Sequence, residues 1–155
     1  MKYLISLISI TFISCTVDKG DVMKNSEKET LSILKTIDFI EESANKADPS
    51  IAEPYLLLED DRFSEIEDFI QEPFGATTLK EIHEWVRING KPGDNVHFRK
   101  RKIYLLSSST AYATSIQELN FDKPSKSRVT FVFLKDGEDW KIIHAHYSTM
   151  PKSEN

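Results

Sequence analysis

The chain has 155 residues, a formal net charge of −5, 39% hydrophobic and 29% charged residues. That is enough chain for one domain and too little for two, with the balance of a water-soluble globular protein. An acidic chain without a basic stripe speaks against nucleic acid as a partner, and its single cysteine, Cys15, excludes an internal disulfide and a thiolate metal cluster.

Lys2 precedes an apolar run from Tyr3 to Ile13, which closes in Phe12-Ile13-Ser14-Cys15. At about a dozen residues the run is too short for a spanning helix, which needs roughly 20. Residues 1–14 therefore read as a signal peptide removed on export. Ser14-Cys15 is similar to the lipobox of bacterial lipoproteins, whose thiol takes a diacylglycerol before cleavage, although Phe12 replaces the usual leucine. The expectation is an exported chain, lipid-anchored through Cys15 to a membrane of the bacterial cell envelope, with residues 15–28 as lipidated cysteine and flexible tether. Removing Lys2 takes the formal charge from −5 to −6.

Ser26 and Glu29 have capping-box spacing, and Ile33, Leu34, Ile37, Ile40 and Ala44 then form one apolar helical stripe. Asp48-Pro49 stops that helix. Ile51 to Leu58 suggests a second, short helix, and Arg62 to Ile70 a strand. Thr78 and Glu81 predict the start of another helix carrying Leu79, Ile82 and Val86, with Gly90 at its end. Four strand-like runs follow, Asn95 to Leu106, Thr110 to Leu119, Arg128 to Lys135 and Trp140 to Ser148. Asp136-Gly137 between the last two is a hairpin signal. In the third run Val129, Phe131 and Phe133 share a face, with Arg128, Thr130 and Val132 opposite. Alternation breaks near Lys100, which predicts a bulge, and the run Arg99-Lys100-Arg101-Lys102 reads as a solvated edge. Helices followed by an antiparallel meander give an α+β domain over residues 29–150 with a tail at 151–155.

The last strand resembles a known family. Asp136-Gly137 followed by Trp140-Lys141-Ile142-Ile143-His144-Ala145-His146-Tyr147-Ser148 looks like the closing strand of SnoaL-like domains. It is also similar to the association domain of calcium/calmodulin-dependent protein kinase II; both belong to the nuclear-transport-factor-2-like superfamily. Arg128-Val129-Thr130 resembles the arginine-bearing strand before it. The resemblance implies a cone-shaped fold with N-terminal helices packed in a curved antiparallel sheet, a pocket between them, and homodimers formed through the sheet. It also implies that Arg128 lines the pocket. Tyr147 stands where the association domain often has arginine, and Gln117 falls near a further pocket arginine, so one of those cations is retained. Isomerases, cyclases, dehydratases and binding modules share the superfamily, so fold does not fix chemistry.

His144 and His146, two apart in a strand, point to one face and suit acid–base work, metal ligation or plain strand-to-strand hydrogen bonds. No third ligand stands at diagnostic spacing, so the sequence predicts no metal and no cofactor. Arg128 must pair with a ligand carboxylate or an internal acid. Trp140 reads as core, while Trp85 reads equally as rim or as a ring stacked on an apolar ligand. The candidate ligand-binding residues are thus Arg128, His144, His146, Tyr147, Gln117 and Trp85. Asp60, Asp61, Glu65, Glu67 and Tyr112 could serve a ketosteroid-isomerase-like mechanism, but none reads as standing alone in an apolar context. Phosphate-loop, nucleophile-elbow and His-Glu-x-x-His motifs are missing. The expected function is a non-catalytic, envelope-anchored module, a homodimer whose cone binds a small apolar or carboxylate molecule or a protein partner. The alternatives are an acid–base isomerase, cyclase or dehydratase using the same pocket, and an assembly domain with that pocket filled.

Overall fold

The computed structural model describes residues 19–67, 70 and 72–151. The signal-peptide and Cys15 expectations, and residues 152–155 of the tail, lie outside them. Helix α1 (Lys19–Lys46) begins upstream of the Ser26–Glu29 pair, so residues 19–28 of the expected tether are helical. Glu29 is not free to act in a capping box because its carboxylate turns into the domain. Its Oε1 accepts from Lys135 Nζ at 2.7 Å and its Oε2 from Trp140 Nε1 at 2.5 Å. Ile33 and Ile37 are fully buried, and Ile40 packs against the same cluster one turn later.

Asp48 accepts the backbone N–H of Ser50 at 3.1 Å and opens the first of two 3-10 turns, Pro49–Ile51 and Glu53–Tyr55. These replace the α-helix expected over 51–58, because Pro54 cannot donate to a continuing ladder. The strand expected over 62–70 is reduced to β1 (Ser64–Ile66). Helix α2 (Ala76–Asn89) starts at Gly75, whose carbonyl accepts from Leu79 N at 3.2 Å, and closes at Gly90.

The remaining strands are β2 (Val96–Leu105), β3 (Thr110–Leu119), β4 (Ser125–Asp136) and β5 (Asp139–Thr149). With β1 they form one sheet in the order β1-β5-β4-β3-β2, antiparallel except for the β1–β5 pair. Gly137, at φ 63°, makes the tight β4–β5 turn that a side chain would strain. Helix α1 lies against the inner face of this sheet. Its isoleucines meet Phe98, Ala113, Phe131, Phe133 and Trp140, each large ring contributing about 1.5–3 kcal/mol by burial. The expected α+β class is the one found.

Two bulges shape the sheet. In edge strand β2 the register slips between Arg99 and Lys102, where Lys100 adopts φ 54° and Ser115 Oγ donates to Arg99 O at 2.8 Å. Arg101 turns inward to pair with Asp38 and Glu41 of α1, while Arg99, Lys100 and Lys102 stay exposed. The second bulge lies in β5. Phe133 pairs with Ile142 and Val132 with His144, leaving Ile143 as the extra residue. Trp140 and Ile142 therefore face the core, but beyond Ile143 the phase reverses and Ala145 and Tyr147 become the buried residues.

Asn45 ties α1 to the start of β2. Its Oδ1 accepts from Asn95 N at 2.9 Å and Val96 N at 2.8 Å, and its Nδ2 donates to Val96 O at 2.8 Å. Asn45→Ala is expected to cost about 2 kcal/mol, since three partners lose their bonds at once. A lowered urea midpoint with an unchanged slope would show it.

Candidate functional site

Between the sheet, α1 and α2 lies a cavity of about 200 Å³. Its walls are Ile40, Ser43 and Ala44 of α1, Leu79, Ile82, His83 and Val86 of α2, Phe131 of β4, and Ile142, Ala145 and Tyr147 of β5. Pro49, Ala52 and Leu56 of the turn segment close another side, and Glu65 of β1 enters from the sheet edge. Larger depressions exist, of about 600 Å³ beside Lys80, Glu84 and Arg87 and about 660 Å³ beside Lys126 and Met150. Those are surface grooves rich in charge or chain ends, whereas the smaller cavity is mostly apolar, with few polar groups converging in it, as ligand sites are.

Glu65 is the chemically distinctive wall. The parallel register sets it opposite Ala145, so its side chain shares the inner face with Ala145 and Tyr147. Burial among apolar walls pushes its carboxyl well above the usual carboxylate range, and the charge and hydrogen bond of nearby Glu67 push the same way. Tyr147 is buried, and its hydroxyl is also pushed well above its ordinary range, first by burial and then by Glu65 and Glu67. Burial thus favours the uncharged form of both the Glu65 carboxyl and the Tyr147 phenol, which border one largely apolar space. His83 reaches the wall from α2 with its Nδ1 2.9 Å from Glu53 Oε1. Glu53 also accepts from Arg87 at 2.5 Å; burial opposes its ionisation, but these two partners outweigh that and hold its pKa below the usual value.

Of the six residues the sequence singles out, the cavity gathers Tyr147 alone. Arg128 is exposed on the outer face of β4, opposite Ser148, and has no carboxylate partner among the described residues. Neither pairing expected of it, a ligand in the cone or an internal acid, is what the structure places beside it. His144 and His146 also face outward, because the bulge at Ile143 reverses the phase of β5. Gln117 lies in register with Ser127, further along the inner face, and does not line the cavity. Trp85 is on the outer side of α2, 62% exposed, whereas Trp140 is core. Among the described residues no three His, Cys, Asp or Glu side chains converge as a metal site would require. The correction that matters most concerns Glu65. The sequence suggests no acid standing in an apolar context, yet Glu65 does, and alternation was the available signal: Phe63, Glu65 and Glu67 share one face, and Phe63 is buried. His83 was likewise legible from its place between Ile82 and Val86 on the Leu79 face of α2.

Comparison with known proteins agrees with this fold. Residues 70–153 match the model of the SnoaL-like domain. An NTF-2 like protein from Shewanella oneidensis has a similar structure, with 16% identity, a TM-score of 0.66, and 77% of this chain and 98% of that one covered. The association domain of CaMKII from C. elegans is 13% identical with a TM-score of 0.61, covering 83% and 99%. A candidate scytalone dehydratase from Novosphingobium aromaticivorans is 12% identical with a TM-score of 0.66, covering 83% and 89%. At such identities the likeness is one of fold. No curated protein sequence matches the chain.

Proposed function

This chain belongs to the SnoaL-like domain family, and from that premise we propose that it is an envelope-anchored module whose cone cavity binds a small, neutral, largely apolar molecule carrying a carbonyl or hydroxyl oxygen. The observation that carries the reading is the pairing of Glu65 and Tyr147 in one largely apolar cavity, where burial favours the uncharged form of each. A cavity of about 200 Å³ takes roughly ten non-hydrogen atoms at protein packing density. A carboxylate ligand is disfavoured, since no Lys or Arg lines the cavity and Arg128 points away. Anchoring rests on the Ser14-Cys15 pattern behind its apolar run. A homodimer completes the reading; its support is the likeness to an association domain.

Para-substituted phenols test the pocket. Calorimetry is expected to show saturable binding by the full chain, about tenfold weaker in Tyr147→Phe through loss of one hydrogen bond to a buried oxygen. Ala145→Leu, which fills the cavity, is expected to abolish it while the far-UV spectrum stays native. Binding that is absent in the parent, or equal in both variants, would remove this reading.

A second reading is favoured by one specific feature, the Glu65–Glu67 carboxyl pair with its raised pKa. A carboxyl brought toward neutrality in this way is suited to general acid–base work. In its ionised form Glu65 would take a proton from the carbon next to a bound carbonyl and return it elsewhere, with Tyr147 donating to the carbonyl oxygen. The candidate scytalone dehydratase shares the fold that frames such a pair.

A further inference from the structure

The imidazoles that the cavity leaves out form an arrangement of their own. His144 and His146 stand side by side on the outer face of β5. Ser64 Oγ lies 2.8 Å from His144 Nδ1, across the parallel β1–β5 pair. That contact engages Nδ1, so Nε2 is the ring nitrogen left to an ion. It also fixes the ring, as the hydrogen-bonded partner of a metal-ligating histidine does. His146, the same face two residues on, is exposed and has no hydrogen-bond partner among the described residues.

We propose that His144 and His146 form a two-imidazole site for a divalent transition-metal ion of the Cu²⁺, Ni²⁺ or Zn²⁺ type, bound through His144 Nε2 and one ring nitrogen of His146, with Ser64 as the positioning residue. Imidazole is the ligand type these ions favour, and a strand holds alternate side chains on one face without the entropy loss a loop would require. When the ion binds at Nε2, the His144 proton resides on Nδ1, and Nδ1–H donates to Ser64 Oγ. With no third ligand beside the two imidazoles among the described residues, water fills the remaining positions and the site is open. Arg128 works against the ion. It lies opposite Ser148, one diagonal step from His146 on the same face.

The test is Cu²⁺ titration of the full chain in a Cys15→Ser background, which removes the single thiol, read by calorimetry and by electron paramagnetic resonance. The expected spectrum has two nitrogen ligands. His144→Ala and His146→Ala should each reduce it to one nitrogen and weaken binding at least tenfold. Ser64→Ala should retain two nitrogens but bind about tenfold more weakly. Arg128→Gln should bind roughly fivefold more tightly, by removing one unit charge some 8 Å from a doubly charged ion. A one-nitrogen spectrum in the parent, or undiminished affinity in the His144→Ala/His146→Ala double variant with native far-UV signal, would overturn the site. The latter result would move copper to His83 or His97 instead.

Discussion

Glu29→Ala is expected to lower the unfolding free energy by about 3 kcal/mol, the low end of what breaking a buried ion pair costs. Glu29 closes a cluster that joins the first helix to the last hairpin, through Lys135 Nζ at 2.7 Å and Trp140 Nε1 at 2.5 Å. Alanine leaves an indole N–H and an ammonium facing each other with no acceptor. The low end applies because the cluster lies just beneath the surface, with Lys135 still 19% exposed. Thr36 Oγ1 donates to Trp140 O at 2.9 Å and holds the tryptophan backbone in place, so the loss is local and not a rearrangement. The Lys135 hydrogen bond, aided by Trp140 against an opposing effect of burial, lowers the Glu29 pKa below its ordinary 4.5. Its stabilisation is therefore complete above that ordinary value and is lost as pH falls through the folded-state value. Urea midpoints of parent and Glu29→Ala should lie far apart at pH 7 and converge in acid; parallel curves down to pH 2 would exclude the carboxylate as the cause.

Glu65→Gln is expected to act in two opposite directions. On stability the sign is reversed relative to Glu29. The folded carboxyl holds its proton above the ordinary range, so stability from this site is greatest below that range and declines as pH rises toward the folded-state value. Glutamine stays neutral throughout and should be more stable than the parent at pH 8 by about 1 kcal/mol, a gain of the size seen when a functional group is relieved. On chemistry the change is a loss. The amide still donates a hydrogen bond, so phenol binding should survive, but it cannot carry a proton. If the acid–base reading holds, α-hydrogen exchange of a small cyclic ketone in heavy water, followed by NMR, should slow by about 10²–10⁴. Equal exchange rates in parent and variant would eliminate catalysis by Glu65 while leaving the binding pocket standing.

The strands were legible because alternation and hairpin chemistry are local. Val129, Phe131 and Phe133 declare their face within five residues, and Asp136-Gly137 announces its own turn. Even the bulge near Lys100 shows as a break in alternation. The site was not legible in the same way, since its polarity comes from partners far apart in the chain. Glu65 reads as one acid among many until Phe131, Ala145 and Val86 are folded around it. The outward turn of His144 and His146 has a sharper cause. Trp140, Ile142, His144 and His146 are all in phase along the sequence, and a regular strand would bury them together. One extra residue, Ile143, exchanges the faces, and a double isoleucine gives no local sign of which copy is supernumerary. Arg128 differs again: the sequence already sets it opposite the buried face of β4, and only the resemblance places it in a pocket.

The residue on which the proposed function depends rides on the least secured part of the sheet. β1 contributes three residues, pairs with one strand only, and is otherwise held by the Glu65–Phe74 bridge and the Ser64–His144 contact. An edge of that size opens at a small fraction of the global unfolding free energy. A molecule lodged between Glu65 and Tyr147, as proposed, would then enter and leave by local unzipping of this margin, while the four long strands and the helix on them stay closed. On the proposed function, two demands that usually compete, a persistent scaffold and a site that exchanges its guest quickly, would thus fall to different strands.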